Sequence, residues 1–166
     1  QIQYADLTGA IVTHTNFHDA NLLGVNLSGK DLTGTNLTDA NLTNANLSGV
    51  NLSGKDLTGT ILKGANLTNA NLDGVDLSGK DLTWTNLTDA NLENTILTDT
   101  ILNCIGNTVC SQMNLNDMSL ENANLTNANL DGVDLSGKDL TGTILKGVDL
   151  SGKDLTGTIL KGVDLS

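Results

Sequence analysis

A single apolar residue recurs at every fifth position along most of this chain. The first series starts at Leu7, passes through Val12 and Phe17, and continues to Leu102, and a second series runs from Leu115 to Leu165. Together the two series hold 31 positions, of which 29 are leucine. A period of five matches neither an α-helix, with about 3.6 residues per turn, nor a flat strand, with a period of about 2. The pattern predicts a coil that turns a corner every five residues and points one side chain per side inward.

The positions around each leucine repeat as well. The residue two before it is mostly Ala, Val or Thr, and the residue directly before it is Asn 14 times and Asp 10 times. Gly or Asn, as at Gly29, Gly34 and Asn44, supplies the permissive dihedral angles that a corner needs. We therefore expect the small residue to pack near the corner, and asparagines in register from coil to coil to form amide ladders.

The units "ANLTN ANLSG VNLSG KDLTG" resemble the motif A(N/D)LXX of the pentapeptide-repeat family, and the match covers residues 5–102 and 113–166. The resemblance implies an all-β fold, a right-handed quadrilateral β-solenoid (pentapeptide-repeat β-helix) with four pentapeptides per coil. The 31 units would then make about 7.75 coils in a single domain over residues 1–166. Residues 20 apart would share one side, which predicts one column of a buried spine: Leu22, Leu42, Leu62, Leu82 and Leu102.

The stretch "NCIGNTVCSQMNL" interrupts the period between Leu102 and Leu115. Removing residues 103–110 restores the period, which predicts a first repeat run (5–102), an eight-residue excursion loop (103–110) and a second repeat run (111–166). A distorted coil with only a three-residue bulge is the alternative.

Cys104 and Cys110 are predicted to close the base of this loop as a structural disulfide. The functional alternatives for the pair are a redox couple or half of a metal site, although the CxxC spacing is absent. A disulfide favours an oxidising compartment. We therefore expect an extracytoplasmic location: secreted, cell surface, periplasm or lumen.

The net charge and the absence of certain motifs argue against several classes of function. Nineteen acidic residues against eight lysines give a net charge of −11, which disfavours direct binding to nucleic acid. No apolar run has the length of a membrane span. His14 and His18 have a spacing that would suit metal binding on a helix, but in this repeat they flank a corner and are expected to be solvated. We expect a protein that is not an enzyme and that uses no cofactor or metal.

Lysine replaces the small residue two positions before the leucine at five places. We expect its aliphatic stem to lie against the coil while the ammonium group leaves at the corner. These lysines are Lys30, Lys55, Lys80, Lys138 and Lys153.

One side of the predicted solenoid differs from the others. On the side of Leu22 and Leu62, apolar residues occupy positions that should point outward: Leu23, Ile61, Trp84 and Ile101. An exposed apolar strip of this kind is a candidate contact site. The alternative is scattered surface hydrophobes, since Ile11 and Ile144 are expected to occupy the same repeat position on other sides.

The sequence runs in the repeat to its last residues, "KGVDLS", with no visible cap. Bare solenoid ends invite association, so we expect end-to-end stacking with copies of the same chain, head to tail, into a filament or scaffold. The family resemblance implies an alternative, a DNA mimic that binds a type II topoisomerase (gyrase), although the motif aspartates fall on all four sides. A monomeric protein-binding module is the second alternative.

Overall fold

The protein is described by a computed structural model for residues 2–102, 120–126, 128, 130 and 133–166. Within these ranges the backbone forms neither a helix nor a continuous strand; it forms isolated parallel bridges separated by turns. The expected all-β class is therefore present as single bridges rather than as extended strands. The reason is the period itself, because the turn at each corner takes part of every five-residue side.

The bridges join residues that lie 20 apart, as in the continuous series Asn26, Asn46, Asn66 and Asn86. Asn46 N–H donates to the Val25 carbonyl in the coil below, and Leu27 N–H donates to the Asn46 carbonyl, both at 2.8 Å. Twenty residues are four pentapeptides. The chain is thus wound into stacked four-sided coils, in which each coil bonds only to its neighbours.

The recurring apolar residues fill the interior of the coils. Leu22, Leu42, Leu62, Leu82 and Leu102 are between 0 and 3% exposed. The small residues two positions before them are also buried, as at Ala40 and Val75. Where threonine takes the small position, its hydroxyl is paired: Thr100 Oγ1 donates to the Leu77 carbonyl at 2.8 Å. The interior therefore stacks leucine on leucine, with its few polar groups satisfied.

Each corner is a turn closed by one backbone hydrogen bond. At the corner after Leu22, Val25 N–H donates to the Leu22 carbonyl at 3.0 Å. The residue between them, Gly24, has a φ of 63°. A positive φ at this third position is what a type II turn requires, and it favours Gly or Asn. This explains why Gly, Asn and Asp occupy most of the corner positions.

Alanine substitutions at two stacked corner glycines, Gly59 and Gly79, can distinguish the cost of backbone strain from the cost of steric crowding. Their φ angles are 66° and 67°. A Cβ at Gly59 would lie 1.8 Å from Oδ1 of Asp39 in the coil below, whereas a Cβ at Gly79 would meet nothing within 4 Å. We expect Gly79→Ala to lower the free energy of unfolding by about 1 kcal/mol, from left-handed strain alone. Gly59→Ala should cost about 2 kcal/mol in urea titrations, because the Asp39 side chain must also move.

The matched check is the double variant Asp39→Gly/Gly59→Ala. It is compared with Asp39→Gly alone, because that substitution also removes the positive-φ strain of Asp39 itself. In the Asp39→Gly background Gly59→Ala should cost about 1 kcal/mol, as Gly79→Ala does, because only the strain at residue 59 is left. Equal losses in the two single variants would show that Asp39 does not crowd the corner.

The Asn or Asp before each leucine holds the following turn. Its side-chain Oδ1 accepts the backbone N–H two residues later, as between Asn66 and Thr68 at 3.1 Å and between Asp31 and Thr33 at 2.9 Å. Asparagine also links coils, because Asn66 Nδ2 donates to Asn46 Oδ1 at 3.3 Å. Similar links join Asn71 to Asn51 and Asn91 to Asn71. The expected amide ladders therefore form on these sides.

The register changes across the interruption. Ile101 bridges Asn124, 23 residues away, and Leu102 N–H donates to the Asn124 carbonyl at 3.0 Å. An eight-residue excursion would have placed Leu130 beside Leu102, but the register places Leu125 there. This register favours the alternative of three extra residues, but residues 103–110 lie outside the described residues, so the form of the loop stays a prediction. Cys104 and Cys110 lie outside the described residues, so their disulfide stays a prediction.

Candidate functional site

The predicted contact residues lie on one side of neighbouring coils: Leu23, Ile61, Trp84 and Ile101. Together with Lys63 and Asp81 beside them, they form what we call the Trp84 face. Bridges from Asn41 to Ile61 and from Asp81 to Ile101 place these residues in register. The side chains of Ile61, Trp84 and Ile101 are 47, 65 and 39% exposed, and Leu23 is half-buried. The face thus presents apolar groups to solvent where most sides present asparagine and aspartate.

Exposed isoleucine is not confined to this face. Ile11, Ile96 and Ile159 are 90, 41 and 49% exposed on other sides of the coils. What distinguishes the Trp84 face is the tryptophan and the charged pair beside it.

Trp84 stands at a corner with a φ of 62°, in the position that Gly24 and Gly64 occupy in coils below. Lys63 Nζ lies 5.4 Å from the centroid of the Trp84 ring. The same ammonium group donates to Asp81 Oδ2 at 2.8 Å. Lys63 therefore joins the aromatic ring to a carboxylate across two coils.

Lys63 and Asp81 were not among the predicted contact residues. A sequence signal for Lys63 does exist, because it follows a core leucine where Thr or Ser usually stands. For Asp81, partial burial raises the pKa, but the hydrogen bonds from Lys63 and Thr83 outweigh this effect and leave the pKa below its usual value. The Asp81 carboxylate is thus ionised at neutral pH.

The lysines in the small position do not behave as predicted. Lys80 Nζ donates to the carbonyls of Leu57 and Thr60 in the coil below, at 2.6 and 3.1 Å. Lys30 Nζ bonds to the Ala10 carbonyl at 3.0 Å, and Lys153 Nζ bonds to the Leu130 carbonyl. The ammonium group turns back to these carbonyls instead of leaving at the corner, because they compensate its partial burial. Burial nevertheless lowers the pKa of Lys80.

The ammonium group of Lys80 also interrupts the contact between coils. In an ordinary coil the equivalent carbonyl accepts a backbone N–H, as Ala20 does from Asn41 at 2.9 Å. Within the described coils, bridges join Asn41 to Ile61 and Asp81 to Ile101, but none joins Ile61 to Asp81. A cleft of about 340 Å³ opens there, lined by residues that include Ile61, Lys80 and Asp81. The Trp84 face is therefore split by a recess beside its ion pair.

The motif aspartates form a second distinctive set. In each of them Oδ1 accepts the backbone N–H two residues later, as between Asp56 and Thr58 at 2.9 Å. In nine of the ten, hydrogen bonds from the Thr or Ser two residues later lower the pKa of the aspartate. The backbone N–H is the larger cause in three of them and the side-chain hydroxyl in the other six. The set comprises Asp6, Asp31, Asp56, Asp76, Asp81, Asp134, Asp139, Asp149, Asp154 and Asp164. The bonding serves the turns and gives the surface fixed negative charge, but it assembles no acid–base pair.

The two histidines lie at the surface of the first coil. His18 is exposed, and its Nδ1 lies 3.0 Å from Thr38 Oγ1 and 3.6 Å from Asp39 Oδ2. The His14 ring lies beneath the Gly34 corner. In the described part of the chain, no three His, Cys, Asp or Glu side chains are placed to hold a metal ion. The same residues include no helix that is long and apolar enough to cross a membrane.

The family of pentapeptide repeats matches the chain in eight copies, over residues 1–39, 40–79, 65–103, 106–137 and 139–166. None of the curated protein sequences compared with the chain matches it.

Solved structures are similar to this one. A pentapeptide repeat protein from the Arabidopsis thaliana thylakoid lumen is 30% identical, over 68% of this chain and 70% of that one, with a TM-score of 0.46. The pentapeptide repeat protein Rfr23 from the cyanobacterium Cyanothece 51142 is 27% identical, over 91 and 87%, with a TM-score of 0.40. QnrB1, a plasmid-mediated fluoroquinolone resistance protein, is 19% identical, over 99 and 91%, with a TM-score of 0.48.

Proposed function

Since the chain belongs to the pentapeptide-repeat family, whose members are generally non-enzymatic structural or binding proteins, we propose that it is a structural subunit that stacks end to end. The observation that carries this proposal is the pairing of coils, in which each coil receives the next through the same buried leucines and backbone groups. On the coil of Leu160 and Leu165 these two leucines are 46 and 61% exposed. A further coil laid on this surface would bury them.

The last described coil also presents backbone groups that a further coil would pair. Inside the solenoid, Leu140 N–H donates to the Ile159 carbonyl of the next coil at 2.9 Å. In the last described coil, Leu155 and Leu160 have no such acceptor above them. The first coil of a second copy offers matching groups, with Leu7, Val12 and Phe17 facing its interior. Stacking would therefore extend both the apolar spine and the hydrogen bonds.

Stacking predicts particle lengths that grow with protein concentration. The purified 166-residue chain should form linear particles in negative-stain electron microscopy and a rising weight-average mass in sedimentation. Leu160→Lys should abolish both, because it places a charge in the joint, while the fold survives because Leu160 is already half exposed. Thr68→Lys is the matched control on a side of the rod and should assemble normally. Discrete single particles at high concentration, or equal assembly of both variants, would exclude stacking.

A second candidate function is mimicry of DNA for a type II topoisomerase. It is supported by the motif carboxylates, whose lowered pKa values keep them ionised on a chain of net charge −11. Their distribution over all four sides is less favourable, because a groove-binding partner would contact one side. Inhibition of gyrase supercoiling at micromolar protein would support this function, and unchanged supercoiling would remove it.

If the protein is instead a monomeric protein-binding module, the assembly experiment should show discrete particles at every protein concentration. The extracytoplasmic location rests on the predicted disulfide of Cys104 with Cys110. The mass of the protein isolated under alkylating conditions tells a disulfide from two free thiols. Alkylation of both cysteines would show free thiols and would remove the reason for this location.

A further inference from the structure

We propose that the Trp84 face binds a polypeptide segment of a partner protein that carries cationic and aliphatic side chains. The site is on the side of the rod and is independent of the stacking at its ends. Three features carry the inference: a strained aromatic residue, a recess between apolar groups, and the sign of the surrounding charge.

Trp84 is strained in a way that the fold does not need. The other non-glycine residues with positive φ are Asn, Asp, His or Tyr, and most are Asn or Asp, whose short polar side chains tolerate this conformation. The indole side chain of Trp84 is neither short nor able to accept a hydrogen bond from the turn, and Trp84 is 65% exposed. Gly24 and Gly64 make the same corner without strain. An outlier of this kind at the surface indicates a role in binding rather than in packing.

The surroundings of Trp84 have the form of a contact site. Ile61 and Ile101 stand on either side of the Asp81 coil, and the recess above Lys80 separates Ile61 from Asp81. Ile61 and Leu62 line this recess, so an aliphatic side chain of a partner would contact apolar groups there. Lys63 covers one approach to the Trp84 ring at 5.4 Å, and the exposure of the ring leaves room for a second cation. Arginine is the residue that most often makes such ring contacts.

The negative net charge of the chain favours a positively charged partner segment. Within the face Lys63 and Asp81 neutralise each other at 2.8 Å, so the field there is that of the rest of the chain, with a net charge of −11. The neighbouring recess holds two carboxylates, Asp56 and Asp76, and two lysines, Lys55 and Lys80, so it adds no positive charge to oppose this field. A cationic segment is attracted to this surface, whereas a second copy of the chain meets like charge.

The chain contains a single tryptophan, so its fluorescence reports on this face alone. The probe is a synthetic eight-residue peptide of alternating arginine and leucine, with a glutamate–leucine peptide as its counterpart. We expect the arginine peptide to shift and quench the Trp84 emission saturably, and the glutamate peptide to have no effect. Unchanged emission with the arginine peptide would overturn the proposal.

Variants of equal charge separate the site from general attraction to an acidic protein. Anisotropy of a labelled arginine peptide should show at least roughly tenfold weaker binding to Trp84→Gly and to Ile61→Asn, a hot-spot-sized loss. Ile159→Asn makes the same exposed replacement on another side and should bind as the parent does. Equal affinity of all four proteins would mean nonspecific attraction and would overturn the proposal.

The melting temperature of Trp84→Gly tests whether the tryptophan is structural instead. Relief of left-handed strain should leave it unchanged or raise it by up to about 4 °C. A clear fall would assign Trp84 to stability and contradict the proposal.

Leu160→Lys, which blocks stacking, should bind the peptide normally, so failure of the stacking proposal can be told from failure of the peptide-binding proposal. Sedimentation that shows side-by-side dimers lost in Trp84→Gly would make the partner a second copy and would likewise overturn it.

Discussion

Leu77→Asp is expected to lower the free energy of unfolding by roughly 4 kcal/mol or more, enough to remove the folded state of many domains. Leu77 is 0% exposed and lies between Leu57 and Leu97, which are 2 and 0% exposed. Replacing a buried leucine by alanine alone costs about 2–5 kcal/mol, and aspartate adds a carboxylate without a partner. Because each coil bonds only to its neighbours, the damage should separate the coils on either side. Circular dichroism during thermal and urea unfolding measures the loss.

Ser53→Asp is the matched control for Leu77→Asp. Ser53 is exposed and lies two residues after Asn51, and the chain itself places Asp73 two residues after Asn71. We expect its unfolding free energy to stay within about 0.5 kcal/mol of the parent. A Leu77→Asp variant that melts like Ser53→Asp would refute the buried leucine spine.

Acid should destabilise the protein through the motif aspartates. Their folded pKa values lie below the usual value of about 3.9, because the side-chain hydroxyl and then the backbone N–H of the residue two later favour the carboxylate. Above about pH 4 to 5 both the folded and the unfolded chain are ionised at these sites, and the stabilisation is fully present. As the pH falls through the lowered pKa values, the unfolded chain binds protons first and the stabilisation is lost. The melting temperature should therefore fall steeply below about pH 4.

Asparagine at the same positions makes the same turn bond without titrating, as Asn66 shows. We expect a triple variant to keep the parent's stability at pH 6 and to lose roughly three tenths less on acidification, since it replaces three of ten motif carboxylates. Its substitutions are Asp31→Asn, Asp56→Asn and Asp154→Asn.

The control for this variant changes the same charge at corner positions that Asn also occupies in this chain: Asp19→Asn, Asp89→Asn and Asp99→Asn. It should follow the parent's acid curve. Identical acid curves for the two triple variants would show that net charge, and not the turn bond, sets the acid sensitivity.

The sequence alone determined the architecture of the coils. A leucine at every fifth position leaves one solution in which every such residue is buried, and the structure buries them along Leu22, Leu42 and Leu62. Stacking of asparagine into ladders followed from the same register, as at Asn46 and Asn66. These features could be predicted because one rule, repeated in every unit, fixes both the local turn and the packing.

Only the tertiary structure decided how exceptional residues are used. The Lys80 ammonium group bonds to the coil below because carbonyls from another coil lie within reach, and the Lys63–Asp81–Trp84 cluster forms across two coils. The register across the interruption followed from the pairing of Leu102 with Asn124, not from the letters between the two runs. In each case the partner lies a whole coil away, where a five-residue pattern carries no information. The sequence therefore determined the repeating core, and contacts between coils decided the chemistry of its surface.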